Sequence, residues 1–170
     1  MDMYAKRVEI IANVAILCSA VLGSSILVAN YFHRTPYPYA PTPSVLSEGS
    51  HIQLAEIDWR NARHTLLFCL STTCYACSEN ADVYRRIITA TQRTSSTRII
   101  AIVPQDIATG RGFLSDINIP ISEILSLPLY SLGVRRTPAL ILLDHTGTVM
   151  HIWSGSFSTQ TASEVLSLLQ

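Results

Sequence analysis

The chain has 170 residues, room for one ordinary domain plus an appendage. Twelve Lys+Arg balance twelve Asp+Glu, so the formal net charge is zero and nothing suggests the basic stripe of a nucleic-acid binder. Charged residues make up 14%, well below the roughly 25% usual in soluble domains, and four cysteines in a chain this long do not make a disulfide-stapled miniprotein.

Part of the charge deficit is local, since Ile10 to Phe32 carries no charged residue. That run can cross a bilayer, for which about 20 residues suffice. Asn13 and Asn30 lie near its ends, and Tyr31 suits the membrane–water interface. Lys6 and Arg7 precede it, so the positive-inside tendency favours a cytoplasmic N-terminus over 1–9 and a transmembrane anchor over 10–32. A cleaved signal peptide is the rival reading. Its apolar core would be ~7–15 residues long and end in a small-x-small site, which Leu27-Val28-Ala29 matches poorly. Four prolines within eight residues, Pro36 to Pro43, then favour extended chain and forbid a helix. Residues 33–50 are expected to be a spacer holding a domain, 51–170, off the membrane.

Within that domain, Ile52 to Asp58 alternates loosely and predicts a short edge strand. Thr65 to Leu70 is a continuous apolar run of the kind a buried central strand requires. A helix follows, with Val83, Tyr84, Ile87 and Ile88 at helical spacing. Arg98 to Val103 is a second buried strand closed by Pro104, and Thr109 to Ile117 reads as a short helix. Ala139 to Leu143 is a third apolar strand. Asp144-His-Thr-Gly147 is a hairpin turn, because Gly147 can take a positive φ, and Val149 to Trp153 pairs back as a fourth strand. The last helix carries Ala162, Val165, Leu166 and Leu169 on one face, and Thr161 with Glu164 fits a capping box. Strands alternating with helices, then a terminal hairpin, predict an α/β fold: a mixed sheet flanked by helices.

Cys74-Tyr75-Ala76-Cys77 stands where the first long strand gives way to a helix. The spacing brings both sulfurs within one helical turn, so a disulfide can close between them. A cysteine at a helix N-terminus meets unpaired N–H groups and the helix dipole, which favour thiolate. The polar lead-in Ser71-Thr72-Thr73 keeps that sulfur accessible, so Cys74 would attack and Cys77 would resolve the mixed disulfide. Half a zinc site is the competing reading. Zinc needs four ligands, no second cysteine pair exists, and His64, His145 and His151 are scattered. No metal and no cofactor is therefore expected. Cys69 and Cys18 read as apolar filler.

From about Ile52 to Gln170 the chain resembles the thioredoxin-like superfamily, nearest to membrane-anchored bacterial thiol–disulfide oxidoreductases and redoxins. The matching pieces are Leu66 to Cys77, Gly133-Val-Arg-Arg-Thr-Pro138, and Leu143 to Gly147 followed by Trp153-Ser-Gly155. The resemblance implies that Pro138 is cis and faces the dithiol, and that Thr137 offers its backbone to a substrate chain, with Tyr75 beside it. It implies protein thiol and disulfide substrates, an electron donor or acceptor, and a single-pass protein of the bacterial inner membrane with its catalytic domain on the periplasmic side. Thioredoxins proper usually have tryptophan before the first cysteine and Gly-Pro between the two, where this chain has Thr73 and Tyr75-Ala76. They also keep a buried acid six residues ahead of that cysteine, where this chain has Phe68. Glu79 and Asp82 read as solvated. Two other functions fit the residues less well. A peroxiredoxin-like peroxidase would place threonine where Ser71 stands, and a dithiol metal or assembly chaperone would use the cysteines as ligands.

Overall fold

The computed structural model describes Arg7 and residues 45–92 and 96–169. The elements below all belong to the unit Pro43–Gln170. The proposed anchor over 10–32 and most of the proline-rich spacer lie outside the described residues. Among those described, no helix is long and apolar enough to cross a membrane.

Five strands form one sheet: β1 (His64–Cys69), β2 (Thr97–Val103), β3 (Ile124–Ser126), β4 (Ala139–Asp144) and β5 (Val149–Ser154), in the order β3-β2-β1-β4-β5. β1, β2 and β3 run parallel, while β4 and β5 run antiparallel to their neighbours, so the sheet is mixed as expected. The helices are α1 (Tyr75–Glu79), α2 (Ala81–Thr91), α3 (Ile107–Asp116) and α4 (Thr159–Leu168).

Because side chains alternate across a strand, β1 divides its apolar residues between two cores. Leu66 and Phe68 join Leu140 and Leu142 of β4 on one face, where Tyr84, Ile87 and Ile88 of α2, Leu114 of α3, and Ala162 and Val165 of α4 cover them. Leu67 and Cys69 join Ile100, Ile102, Ile141 and Leu143 on the other. That second face is covered by two short 3-10 helices, Trp59–Asn61 and Leu129–Leu132, and by the segment that enters the domain. β1 is buried along its whole length, which explains its unbroken apolar text.

Three sequence expectations need correction. Ile52 to Asp58 is not an edge strand. One isolated bridge, His51 to Thr148, is followed by a turn closed by Ile57 N–H on Leu54 O at 3.1 Å. The loose alternation came instead from Ile52 and Ile57, which with Trp59 reach into the second core. The helix after the cysteines is two helices separated at Asn80. The cap of α4 is Ser158 with Thr161, one turn earlier than expected, and Glu164 instead accepts from Gln160 at 3.1 Å. β3 escaped notice because three residues on a sheet edge carry no readable period.

The Asp144–Gly147 turn forms as expected. Gly147 has φ +84°, and a Cβ there would stand 2.6 Å from the indole nitrogen of Trp59, so both the conformation and the close packing demand glycine. The Asp144 carboxylate accepts from the N–H groups of Thr146 at 2.8 Å and Thr148 at 3.0 Å, fixing the turn from within.

Topology brings three loops to one end of the sheet. Cys69 is opposite both Ile102 of β2 and Ala139 of β4. The chain leaving β1, the chain leaving β2 and the residues just before β4 therefore share that end. They are the cysteine loop, Pro104-Gln105 and Thr137-Pro138.

Candidate active site at Cys74 and Cys77

Beyond β1 the ladder continues for one residue, with Leu70 N–H on Ile102 O at 2.9 Å, and then the chain turns. Gln105 fixes the turn: its carbonyl accepts from Thr72 N–H at 3.3 Å and its amide donates to Ser71 Oγ at 3.1 Å. The Ser71 hydroxyl also meets that of Thr73, so it is occupied within the loop. Cys74 N–H then bonds Ser71 O at 3.1 Å, which sets Cys74 as the N-cap of α1.

At this cap the sulfur takes the part that a serine or aspartate oxygen usually plays. Cys77 N–H donates to Cys74 Sγ at 3.2 Å. As a thiol, Cys74 donates in turn to the carbonyl of Thr137 at 3.5 Å. The Thr137–Pro138 peptide is cis, Pro138 is buried, and Thr137 is half-buried. The two motifs that lie far apart in sequence thus meet at the Cys74 sulfur.

The two thiols differ in surroundings and in acidity. Cys74 is half-buried, and Cys77 is fully enclosed in the first core. Burial works against the Cys74 thiolate, but hydrogen bonding from the side chains of Cys77 and Thr137 and from the N–H groups of Cys77 and Ala76 outweighs it, so its pKa falls below that of an ordinary thiol. For Cys77, burial first and then the hydrogen bond to Cys74 push the pKa up to about 12. Local donors, more than a long helix dipole, acidify Cys74, because α1 is only five residues long. Alkylation of the reduced chain with iodoacetamide is expected to label Cys74 first. Its rate should climb as pH rises, with a midpoint below that of an ordinary thiol. Equal labelling of Cys74 and Cys77 on peptide mapping would contradict this split.

The other sequence candidates are placed as follows. Tyr75 projects from the site with 78% of its surface exposed. Arg135 and Arg136 are exposed beside Thr137, at the lip of a groove of about 320 Å³ that also touches Ala139, Ile152 and Ser154. A hollow of about 400 Å³ at Arg111, Leu114 and Ile121 contains neither cysteine. Glu79 is exposed, Asp82 pairs with Arg85, and Trp153 is a buried core residue. Cys69 lies on the opposite face of the sheet, and burial pushes its thiol up to about 12. Among the described residues no group of three or more His, Cys, Asp or Glu assembles that could hold a metal ion.

Sequence reasoning passed over Gln105 and Asn80. The buried Asn80 donates to Ala76 O at 2.6 Å and accepts from Phe157 N–H at 2.7 Å, tying α1 to the loop before α4. The available signal was a polar residue three positions past Cys77 on an otherwise apolar face. Gln105 could have been found by asking which loop follows the strand parallel to β1.

This architecture has solved counterparts. The thioredoxin domain of a thiol-disulfide oxidoreductase from Bacteroides vulgatus superposes with a TM-score of 0.57 at 13% identity, covering 74% of this chain and 99% of that one. A DsbF homologue from Corynebacterium diphtheriae gives 0.54 at 16% identity, over 77% and 95% of the two chains. The fold of this domain is thioredoxin-like. StoA from Bacillus subtilis shares the thioredoxin-like fold as well, at 0.52 and 13% identity over 64% and 84%. No family model matches the chain. No curated protein matches it either. In this thioredoxin-like domain the cysteine pair caps the helix after the central strand, and the cis-proline loop closes over it.

Proposed function

We propose that this chain is a thiol–disulfide oxidoreductase that exchanges electrons with protein thiols and disulfides outside the cytoplasm through Cys74 and Cys77. The observation that carries the reading is the Cys74 sulfur itself. It is half-exposed, held by Cys77 N–H, in contact with Thr137 O beside a cis proline, and more acidic than an ordinary thiol. The similar structure from Bacteroides vulgatus, the thioredoxin domain of a thiol-disulfide oxidoreductase, supports the same chemistry.

In the reducing direction the Cys74 thiolate attacks one sulfur of a substrate disulfide. A mixed disulfide forms and the other substrate sulfur leaves as a thiolate. Cys77 then attacks Cys74 Sγ, the mixed disulfide breaks, and the Cys74–Cys77 bond forms as the second substrate thiol is released. The oxidising direction is the reverse. The substrate backbone would lie along Thr137 and Pro138, with Tyr75 offering an exposed aromatic surface to it. The segment 10–32 would anchor the chain in the bacterial inner membrane, with residues 1–9 cytoplasmic and the domain from 51 onward periplasmic. An electron donor or acceptor outside the chain would restore the working redox state.

Trapping tests the reading. The Cys77→Ser chain should accumulate a covalent adduct with its substrate protein through Cys74, visible as a heavier band that a reductant dissolves. If Cys77→Ser and Cys74→Ser chains captured the same proteins to the same extent, the assigned roles would be wrong.

A further inference from the structure

Resolution of the mixed disulfide requires charge on a sulfur that the fold hides from water. Cys77 is fully buried and its pKa is pushed up to about 12. From β1 and the residue after it, and from β4, β5 and α4, its core cluster contains Phe68, Leu70, Leu140, Trp153 and Ala162, none of which titrates. Besides Cys74, the one titratable side chain of that cluster is Tyr84 on α2.

Tyr84 is also fully buried, and its hydroxyl has no hydrogen-bond partner among the described residues. An unmet buried hydroxyl is costly, and a phenylalanine of the same shape would carry no such penalty. Its position relates it to the dithiol. Hydrogen bonds continue across the break between α1 and α2, from Asn80 N–H to Ala76 O at 3.3 Å and from Tyr84 N–H to Asn80 O at 3.1 Å. Residues 77 and 84 therefore lie about two turns apart on nearly one face. Helical side chains lean toward the N-terminus, the direction in which Cys77 lies, and Tyr84 and Cys77 share one core cluster. Edge-on contacts with the rings of Phe68 at 5.5 Å and Phe157 at 6.1 Å hold the Tyr84 ring in place.

We propose that the Tyr84 hydroxyl donates a hydrogen bond to the Cys77 sulfur as that sulfur becomes charged, and so assists the resolving step. The inference rests on the dithiol reading above. In that step Cys77 gives up its proton and its electron pair attacks Cys74 Sγ. The bond from Cys74 to the substrate sulfur breaks, and the departing substrate thiolate takes up a proton. The dithiol is oxidised by two electrons as the substrate disulfide is reduced. Tyr84 keeps its own proton throughout. Burial first, then negative charge at Cys77 and Cys74, pushes the phenol up, which suits a donor and rules out a base.

The full-length reduced chain, mixed with a limiting amount of 5,5′-dithiobis(2-nitrobenzoate), separates the steps. The first thionitrobenzoate released reports attack by Cys74, and the second reports resolution by Cys77. Tyr84→Phe should leave the first phase unchanged and slow the second about tenfold, as loss of a hydrogen bond to a charged group implies. The pH profile of the second phase should also move about one unit upward. Tyr84→Phe removes no bonded group, so the fold should persist, and a thermal midpoint no lower than that of the wild type would verify that. A second phase with wild-type rate and pH profile would overturn the role of Tyr84 while leaving the dithiol reading intact. A wild-type chain releasing only one thionitrobenzoate would overturn the dithiol reading, and this inference with it.

Discussion

A Cys74→Ser chain is expected to lose thiol–disulfide exchange down to the rate of buffer alone. The remaining described thiols cannot substitute for it. Burial pushes both Cys77 and Cys69 far above an ordinary thiol, so at pH 7 either thiolate is scarce. Both are also fully buried, which bars a protein disulfide from reaching them. Cys77→Ser should behave differently. Its Cys74 keeps the contact with Thr137 and the N–H of residue 77, and should still form mixed disulfides with one equivalent of reagent. Mass spectrometry of both variants after exposure to a disulfide reagent distinguishes these outcomes. Adducts on Cys77 in the Cys74→Ser chain, formed at more than a few per cent of the wild-type rate, would refute the division of labour.

The second large effect is on stability. Phe68→Ala is expected to cost about 3–5 kcal/mol, the range for removing a large aromatic side chain from a packed core. Phe68 is fully buried on the central strand, and its ring meets Tyr84 edge-on at 5.5 Å, so the surroundings can collapse only partly into the space. Against a typical domain stability of about 5–15 kcal/mol this is a large share, and it should lower the thermal midpoint by roughly 10–20 °C. Urea denaturation of the full chain measures it. Phe68→Leu, which fills more of the volume, should cost markedly less. Equal losses for Ala and Leu would mean that the cavity is not the cause.

Much of the candidate site was legible because the proposed chemistry demands particular residues in particular places. The apolar run before Ser71, the spacing of Cys74 and Cys77, and Thr137-Pro138 just ahead of an apolar strand are each visible without coordinates. Their meeting is also a consequence of order, since a strand antiparallel to β1 must start where β1 ends. What sequence could not show was the bracing. Asn80 and Gln105 act through bonds to Ala76, Phe157, Ser71 and Thr72, partners set by tertiary packing and not by period. The break at Asn80 was hidden because apolar spacing runs on through it. Ile52 to Asp58 misled because burial by tertiary contact imitates the alternation of a strand.

Cys69 and Cys77 belong to cores on opposite sides of β1. The strand therefore works as a partition. The Cys69 thiol sits very near Cys74 and Cys77 along the chain, yet pairing with either would require turning a central strand inside out. On the proposed reading, repeated redox turnover would proceed without scrambling, with Cys69 a spectator that fills space.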